Sequence, residues 1–256
     1  MKTLYESLLD DFDELDKDVQ QNAEKSVWDF LIDNYKLGGE PIKTYTKKIK
    51  INNKPNKDGK YVVDVDGNID IKNHDIYTLT NNIFVFGKVK GYFCCNACDN
   101  LTSLEGAPEK VSGNFYCSRC NNLTSLKGAP KEVRGHFECI DCKNLTSLKG
   151  APEKVGDNFD CSECEKLISL EGGPKEVDGS FYCVECRNLI SLEGAPEKVY
   201  GYFGCYDCSN LTSLKGAPKE VGGSFDCSGC NKLKNLNHLP KEIGESLYVP
   251  IHLKNN

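Results

Sequence analysis

From Val89 to Ile243 the chain repeats one pattern of apolar and polar positions every 22 residues, seven times over. One unit reads Val111-Ser-Gly113-Asn-Phe115-Tyr-Cys117-Ser-Arg-Cys120-Asn-Asn-Leu123-Thr-Ser-Leu126-Lys-Gly128-Ala-Pro130. The leading branched residue recurs as Val89, Val111, Val133, Val155, Val177, Val199, Val221 and Ile243, and the aromatic as Phe93, Phe115, Phe137, Phe159, Phe181, Phe203, Phe225 and then Leu247. A fixed period of this length marks a solenoid. Phe-x-Cys has the two-residue alternation of a strand, with both side chains on one side. The second cysteine and the leucine pairs, from Leu101/Leu104 to Leu233/Leu236, complete a coil whose apolar groups all turn inward. Gly-Ala-Pro makes the return corner, because proline cannot continue a ladder and glycine permits unusual dihedrals. One coil cannot bury its own apolar face. Stacking seven lets each cover the next, which predicts a parallel sheet with strands roughly 4.8 Å apart.

The flanking segments follow other patterns. In residues 1–35, Tyr5, Leu8, Leu9, Phe12 and Leu15, then Val19, Ala23, Val27 and Leu31 with Trp28 and Phe30, fall at helical spacing, with acidic residues crowded between the two sets. A helical cap or docking arm is expected there. Residues 36–60 turn basic and rich in Gly, Pro and Asn, as a linker or long hairpin loop would be. In residues 61–88, Tyr61 to Val65 and Ile69 to Ile71 alternate around Asp66-Gly67, a hairpin signal that predicts a β-rich cap. Asp64, Asp66 and Asn68 have the opening spacing of a calcium loop without its distal ligands. Residues 244–256 are expected to form a closing strand and tail.

The segment Phe-x-Cys-x-x-Cys-x-x-Leu resembles the core of the leucine-rich repeat, Leu-x-Leu-x-x-(Asn or Cys)-x-x-Leu, over about 160 residues. That resemblance implies an α+β, leucine-rich-repeat-like solenoid with one short parallel strand per coil. The wording Leu-Thr-Ser-Leu-x-Gly-Ala-Pro-x-x-Val, with the opening Met1-Lys-Thr-Leu-Tyr-Glu-Ser-Leu-Leu-Asp10, also resembles a group of bacteriophage-encoded repeat proteins. It implies a phage origin and a host-cell cytoplasmic location, and no particular activity.

Charge adds a second period. After each proline the dipeptide alternates: Glu109-Lys110, Lys131-Glu132, Glu153-Lys154, Lys175-Glu176, Glu197-Lys198, Lys219-Glu220. Stacked coils would set each Glu between lysines above and below, so a slip of one repeat would juxtapose like charges. The net charge of −6 and pI of about 5.4 argue against nucleic acid, whose binders carry a basic excess on at least one face. No apolar run is long enough for a membrane helix, and the N-terminus lacks the order of a signal peptide. Without an export signal, a reducing cytosol and free thiols are expected.

Fifteen cysteines are the sharpest chemical feature. The pairs Cys95/Cys98, Cys117/Cys120, Cys139/Cys142, Cys161/Cys164, Cys183/Cys186, Cys205/Cys208 and Cys227/Cys230 have the Cys-x-x-Cys spacing of four-thiolate zinc sites. Seven pairs leave one stranded when taken two at a time, and no cation is placed to offset thiolates. The first cysteine also stands at an inward strand position, where a thiol acts as a small hydrophobe. The second stands where the leucine-rich repeat sets Asn or Cys against loop backbone. A structural ladder with no cofactor, zinc thiolates, and disulfides within pairs are the three readings. Cys94, the fifteenth, falls at an outward strand position and is expected to be exposed.

The outward strand positions form the face that a solenoid uses for binding. One column reads Tyr92, Asn114, His136, Asn158, Ser180, Tyr202, Ser224, and the next Cys94, Tyr116, Glu138, Asp160, Tyr182, Gly204, Asp226. Beyond the first cysteine come Ile140, Val184 and Tyr206, then Arg119, Asp141, Glu163, Glu185 and Asp207. Tyrosines among acids suit protein recognition, so the candidate face is Tyr92, Tyr116, His136, Glu138, Asp160, Glu163, Tyr182, Tyr202, Tyr206 and Asp226. His74, His136, His238 and His252 are scattered, and no nucleophile or phosphate-loop motif accompanies them. The expectation is a non-enzymatic scaffold that binds a protein, such as a host factor. The alternatives are a structural or virion-associated repeat protein docked by its N-terminal helices, and a zinc-dependent nucleic-acid binder.

Overall fold

The computed structural model describes residues 46–52, 56–72, 76–80 and 84–254. The helical pattern of residues 1–35 lies outside them, as does His74. Within them the chain is a stacked parallel β-solenoid. Among the described residues the only helical element is a 3-10 turn, Ile251–Leu253, so the α+β class has no support there.

Each coil contributes two short strands, not the single one that the leucine-rich-repeat resemblance implies. A ten-stranded sheet, here sheet one, runs in the order β1 (Thr46–Ile51), β2 (Tyr61–Gly67), β4 (Phe84–Val89), β6 (Lys110–Val111), β8 (Glu132–Val133), β10 (Lys154–Val155), β12 (Glu176–Val177), β14 (Lys198–Val199), β16 (Glu220–Val221) and β18 (Glu242–Ile243). From β6 onward its strands are two residues long. Sheet two has nine strands, from β3 (Ile69–Asp70) and β5 (Phe93–Cys94) to β19 (Leu247–Tyr248). Its other members used below are β7 (Phe115–Tyr116), β9 (Phe137–Glu138), β11 (Phe159–Asp160), β13 (Phe181–Tyr182), β15 (Phe203–Gly204) and β17 (Phe225–Asp226). The repeat hid the sheet-one strands because each holds one apolar residue beside one charge, too short a run to show alternation.

From Val89 onward registers are in phase, Val155 opposite Val177 and Phe159 opposite Phe181. Identical side chains therefore stack. The phenylalanines from Phe93 to Phe225 form one column with ring centroids 5.2–5.5 Å apart and near-parallel planes. Valines, both cysteine columns and both leucine columns fill the rest of a continuous buried core. At the return corner Gly106, Gly128, Gly150, Gly172, Gly194 and Gly216 all have φ between 82° and 99°, and a Cβ on Gly128 would lie 2.2 Å from the Glu105 nitrogen. Only glycine suits that left-handed, close-approach position.

The ends differ from the sequence expectation. Strand β1 lies inside the stretch read as linker or hairpin loop and pairs antiparallel with β2. Asp66-Gly67 is not a hairpin turn: β2 and β3 belong to different sheets, and the chain turns a corner between them. Residues Val65-x-Gly67-x-Ile69-x-Ile71 take the places of Val89-x-Gly91-x-Phe93-x-Cys95 in the next coil, 24 residues on. The segment read as a β-rich cap is thus itself a coil. Its Asp64 and Asn68 carboxyl and amide oxygens accept the Lys88 and Tyr92 N–H groups, and Asp66 pairs with Lys90. These side chains brace the following coil. At the far end Leu253 is buried under the last coil, and a ring nitrogen of His252 is 2.8 Å from the Leu233 carbonyl oxygen.

The charge alternation pairs coils in twos. Lys110 meets Glu132 and Lys131 meets Glu109, Lys154 meets Glu176 and Lys175 meets Glu153, and Lys198 meets Glu220 and Lys219 meets Glu197, at 2.6–3.0 Å. Each of these residues pairs with one neighbouring coil rather than with both, contrary to expectation. All are exposed or half-buried, so each pair contributes only about 0–1 kcal/mol, and their sum specifies register more than it stabilises.

Candidate binding face

The chemistry-bearing residues fall into two groups, the thiol columns inside and the outward face of sheet two. All fifteen cysteines are buried. Each second cysteine donates its thiol to the carbonyl of the first cysteine one coil back: Cys120 to Cys95, Cys142 to Cys117, Cys164 to Cys139, Cys186 to Cys161, Cys208 to Cys183 and Cys230 to Cys205, at 3.0–3.2 Å. Cys98 makes the same bond to Ile71, which stands in the cysteine's place in the first coil. The turn between paired cysteines holds Ala97, Arg119, Asp141, Glu163, Glu185 and Asp207 at φ 53–61°, which leaves that carbonyl facing the core. A thiol supplies its donor where no backbone N–H reaches. Burial pushes the Cys117, Cys161 and Cys205 thiols well above the usual thiol range. Among the described residues no group of three or more His, Cys, Asp or Glu is disposed to hold a metal ion.

Cys94 departs from the expected exposure. It is 6% exposed, and burial raises its pKa to about 11. Thiolate is the reactive form, so the folded protein at pH 8 should consume almost none of a thiol reagent such as DTNB within minutes. Adding denaturant should release all fifteen thiols. Rapid reaction of one equivalent without denaturant would show Cys94 to be accessible after all.

The face of sheet two carries three columns of outward residues. In the two outer columns the short polar residues and His136 serve the backbone. In the first, the Asn114 side-chain oxygen accepts the His136 N–H, His136 Nδ1 accepts that of Asn158, Asn158 that of Ser180, and Ser180 that of Tyr202, at 2.8–3.4 Å. In the third, Asn96 accepts the N–H of Ser118, Ser118 that of Ile140, and Ser162 that of Val184. A short polar side chain at these positions completes the coil-to-coil ladder. Sequence variation among Asn, Ser and His there reflects that shared role.

The middle column makes no such coil-to-coil bonds, although Asp160 and Asp226 accept the N–H groups of Ser162 and Ser228 two residues on. In register it runs Cys94, Tyr116, Glu138, Asp160, Tyr182, Gly204, Asp226, Tyr248. Five of the expected face residues, Tyr116, Glu138, Asp160, Tyr182 and Asp226, therefore stand in one line. Tyr92, His136 and Tyr202 lie in the first column and Tyr206 in the third, while Glu163 sits exposed on the cysteine turn. Tyr202 leans over Gly204, where a Cβ would lie 2.5 Å from its ring, and donates its hydroxyl to Asp226 Oδ2 at 3.0 Å. Its ring centroid is 5.5 Å from that of Tyr182. His136 Nε2 lies 3.6 Å from Asp157 Oδ2, not in a catalytic constellation.

The electrostatics of the two sheets differ. On sheet one Glu109, Glu132, Glu153, Glu176, Asp178, Glu197 and Glu220 each have a lysine within 4 Å. Among the described residues Glu138, Asp160, Glu163, Asp207 and Asp226 form no ion pair. Burial raises the carboxyl of Glu138, and the neighbouring Asp160 raises it further. Asp160 is raised by burial too, against the lowering effect of hydrogen bonds from Ser162. Sequence reasoning located these residues. It missed that the columns beside them are committed to the backbone, because a side-chain oxygen that caps the next coil looks the same in sequence as one that faces solvent.

No helix among the described residues is long and apolar enough to cross a membrane. No protein-family model matches this chain, and no curated protein or solved structure matches it either. The assignment of a repeat solenoid thus stands on the sequence period and the stacked geometry.

Proposed function

We propose that this protein is a non-enzymatic scaffold that binds another protein through the outward face of sheet two. The observation that carries the reading is the contrast between the faces. Most acids on sheet one pair with a lysine of a neighbouring coil, whereas among the described residues Glu138, Asp160 and Asp226, in the middle column of sheet two beside tyrosines, form no ion pair. Unpaired acids that cost folding energy are retained where they meet a partner's charge, and tyrosine supplies rigid contact area beside them. The partner's surface is accordingly basic. The Phe-x-Cys-x-x-Cys-x-x-Leu segment and the Leu-Thr-Ser-Leu-x-Gly-Ala-Pro wording support kinship with leucine-rich-repeat and phage-encoded repeat proteins. In that setting the partner is a host factor in the cytoplasm of the infected cell.

The combined change Glu138→Lys, Asp160→Lys and Glu163→Lys should abolish capture of the partner that the unmodified full chain retains, with cooperative thermal unfolding preserved. Unchanged capture removes the proposal. Deleting residues 1–35 should leave capture intact. Loss of capture on that deletion alone would favour docking through the N-terminal segment.

A further inference from the structure

The two ends of sheet one are closed differently. At its start β1 pairs antiparallel with β2, Lys50 opposite Asp64, so the chain covers that edge itself. At the other end β18 and β19 are the outermost strands of the two sheets, and among the described residues each pairs on one side only. The chain leaves the repeat there. Val249 and His252 stand in the places of Cys227 and Cys230, and the 3-10 turn Ile251–Leu253 replaces the cysteine turn. An open strand edge offers unpaired backbone groups to another chain. Apolar surface gathers at the same end. Leu247, Tyr248 and Ile251 are three of the seven large apolar side chains exposed among the described residues. Such clustering marks a contact surface, where single scattered residues would not.

The charges say what covers this edge. Along sheet one each Glu-Lys coil pairs with the Lys-Glu coil that follows it. The last coil breaks that order. Its Lys241-Glu242 stacks in register on Lys219-Glu220, so like charges are neighbours. Lys219 and Glu220 are already paired with Glu197 and Lys198. Among the described residues the exposed Lys241 and Glu242 form no ion pair. What the stack lacks is a Glu-Lys rung beyond the last coil. Lys-Glu in the opposite chain direction reads Glu-Lys. We propose that a second copy of this chain supplies the rung. Two solenoids join end to end about a two-fold axis between Lys241 and Glu242. Strand β18 runs antiparallel to its counterpart, with Lys241 of each copy facing Glu242 of the other. A two-fold contact uses one patch twice and closes on itself, so it yields a dimer and not a filament. Sheet one then continues from one solenoid into the next, by the same antiparallel pairing that closes its start. The inference is independent of the binding face on sheet two.

Sedimentation equilibrium of the full chain should give about twice the 28.5 kDa mass of one chain, falling to that mass on dilution. Lys241→Glu leaves two acids on each edge, and Glu242→Lys leaves two lysines. Each single variant should raise the dissociation constant about tenfold or more, because like charges meet across the axis. Mixing the two variants should restore association, since an all-acidic edge then meets an all-basic one. The exchanged variant, Lys241→Glu with Glu242→Lys, should associate as the parent does. Both positions are exposed, so far-ultraviolet circular dichroism should be the same for every variant, which separates lost association from lost folding. Single variants that associate like the parent overturn the proposal. So does a mixture, or an exchanged variant, that stays monomeric. A parent that is monomeric at every concentration overturns it as well. Dimers that then appear only after deletion of residues 1–35 would assign the edge to that segment instead.

Discussion

Phe159→Ala should destabilise the solenoid by about 3–5 kcal/mol, the range for removing a fully buried aromatic ring. Phe159 has no solvent exposure and stacks between Phe137 and Phe181, with centroids 5.2 Å away on each side and planes 9° and 15° from parallel. Its removal leaves a cavity and breaks two ring contacts together. The coils cannot collapse into the space, because strand pairing fixes their separation at the rung spacing. In a solenoid each repeat touches only its neighbours, so a defect in the middle weakens both interfaces of one coil. Urea unfolding followed by far-ultraviolet circular dichroism should show a lower midpoint, with a second transition as the two halves uncouple. Leu247→Ala is the matched control. It occupies the same column in the last coil, is 42% exposed and has a neighbour on one side only, so its cost should stay near ~1 kcal/mol. Equal effects at the two sites would refute the stacked column.

Gly150→Ala is the second large effect, at about 2–5 kcal/mol from left-handed strain and overpacking together. Gly150 has φ +99°, and a Cβ there would lie 2.6 Å from the Leu126 carbonyl oxygen and 2.7 Å from Lys127 Cα. Both atoms are backbone of the preceding coil, so no side-chain rotation relieves the clash and the coils must part. Gly59→Ala separates the two causes. Gly59 has φ +75° with nothing within 4 Å of the added carbon, which leaves the conformational cost alone, about 1 kcal/mol. A Gly150→Ala loss no larger than the Gly59→Ala loss, measured by the same urea titration, would show that the coils are not in close contact at this corner.

Much of this architecture is legible in the sequence because repetition multiplies weak signals. A single Phe-x-Cys-x-x-Cys predicts little, but seven in phase fix the period, the inward set and the stacking partner of every residue. The lone valine between a charge and a polar residue gave no sign of a second sheet. The strand Lys154–Val155 is two residues long, and only hydrogen bonds to the coils above and below make it one. The first coil was hidden for a related reason. Ile69 and Ile71 replace Phe and Cys, and the repeat there is 24 residues rather than 22. Cys94 was misjudged because strand alternation assigns a side, not a depth; it is buried although it lies on the outward side of sheet two.

The outward face divides the same way. That Tyr116, Glu138, Asp160 and Tyr182 occupy equivalent positions is a property of the sequence, since equal spacing in a periodic chain is equal position in the stack. Which outward side chains are already committed is a tertiary fact. Asn114, Asn158 and Ser180 look like surface variation until their oxygens are found on the next coil's N–H groups. Pairing of Glu with Lys in alternate couples is likewise decided in the stack, where an exposed side chain can reach one neighbour. The sequence by itself determined the period, the composition of the core and the line of residues available for binding, because these depend on spacing along the chain. Tertiary structure decided the second sheet, the donor role of the second thiol and the unpaired acids between two tyrosines, because hydrogen bonding and burial depend on what the adjacent coil presents.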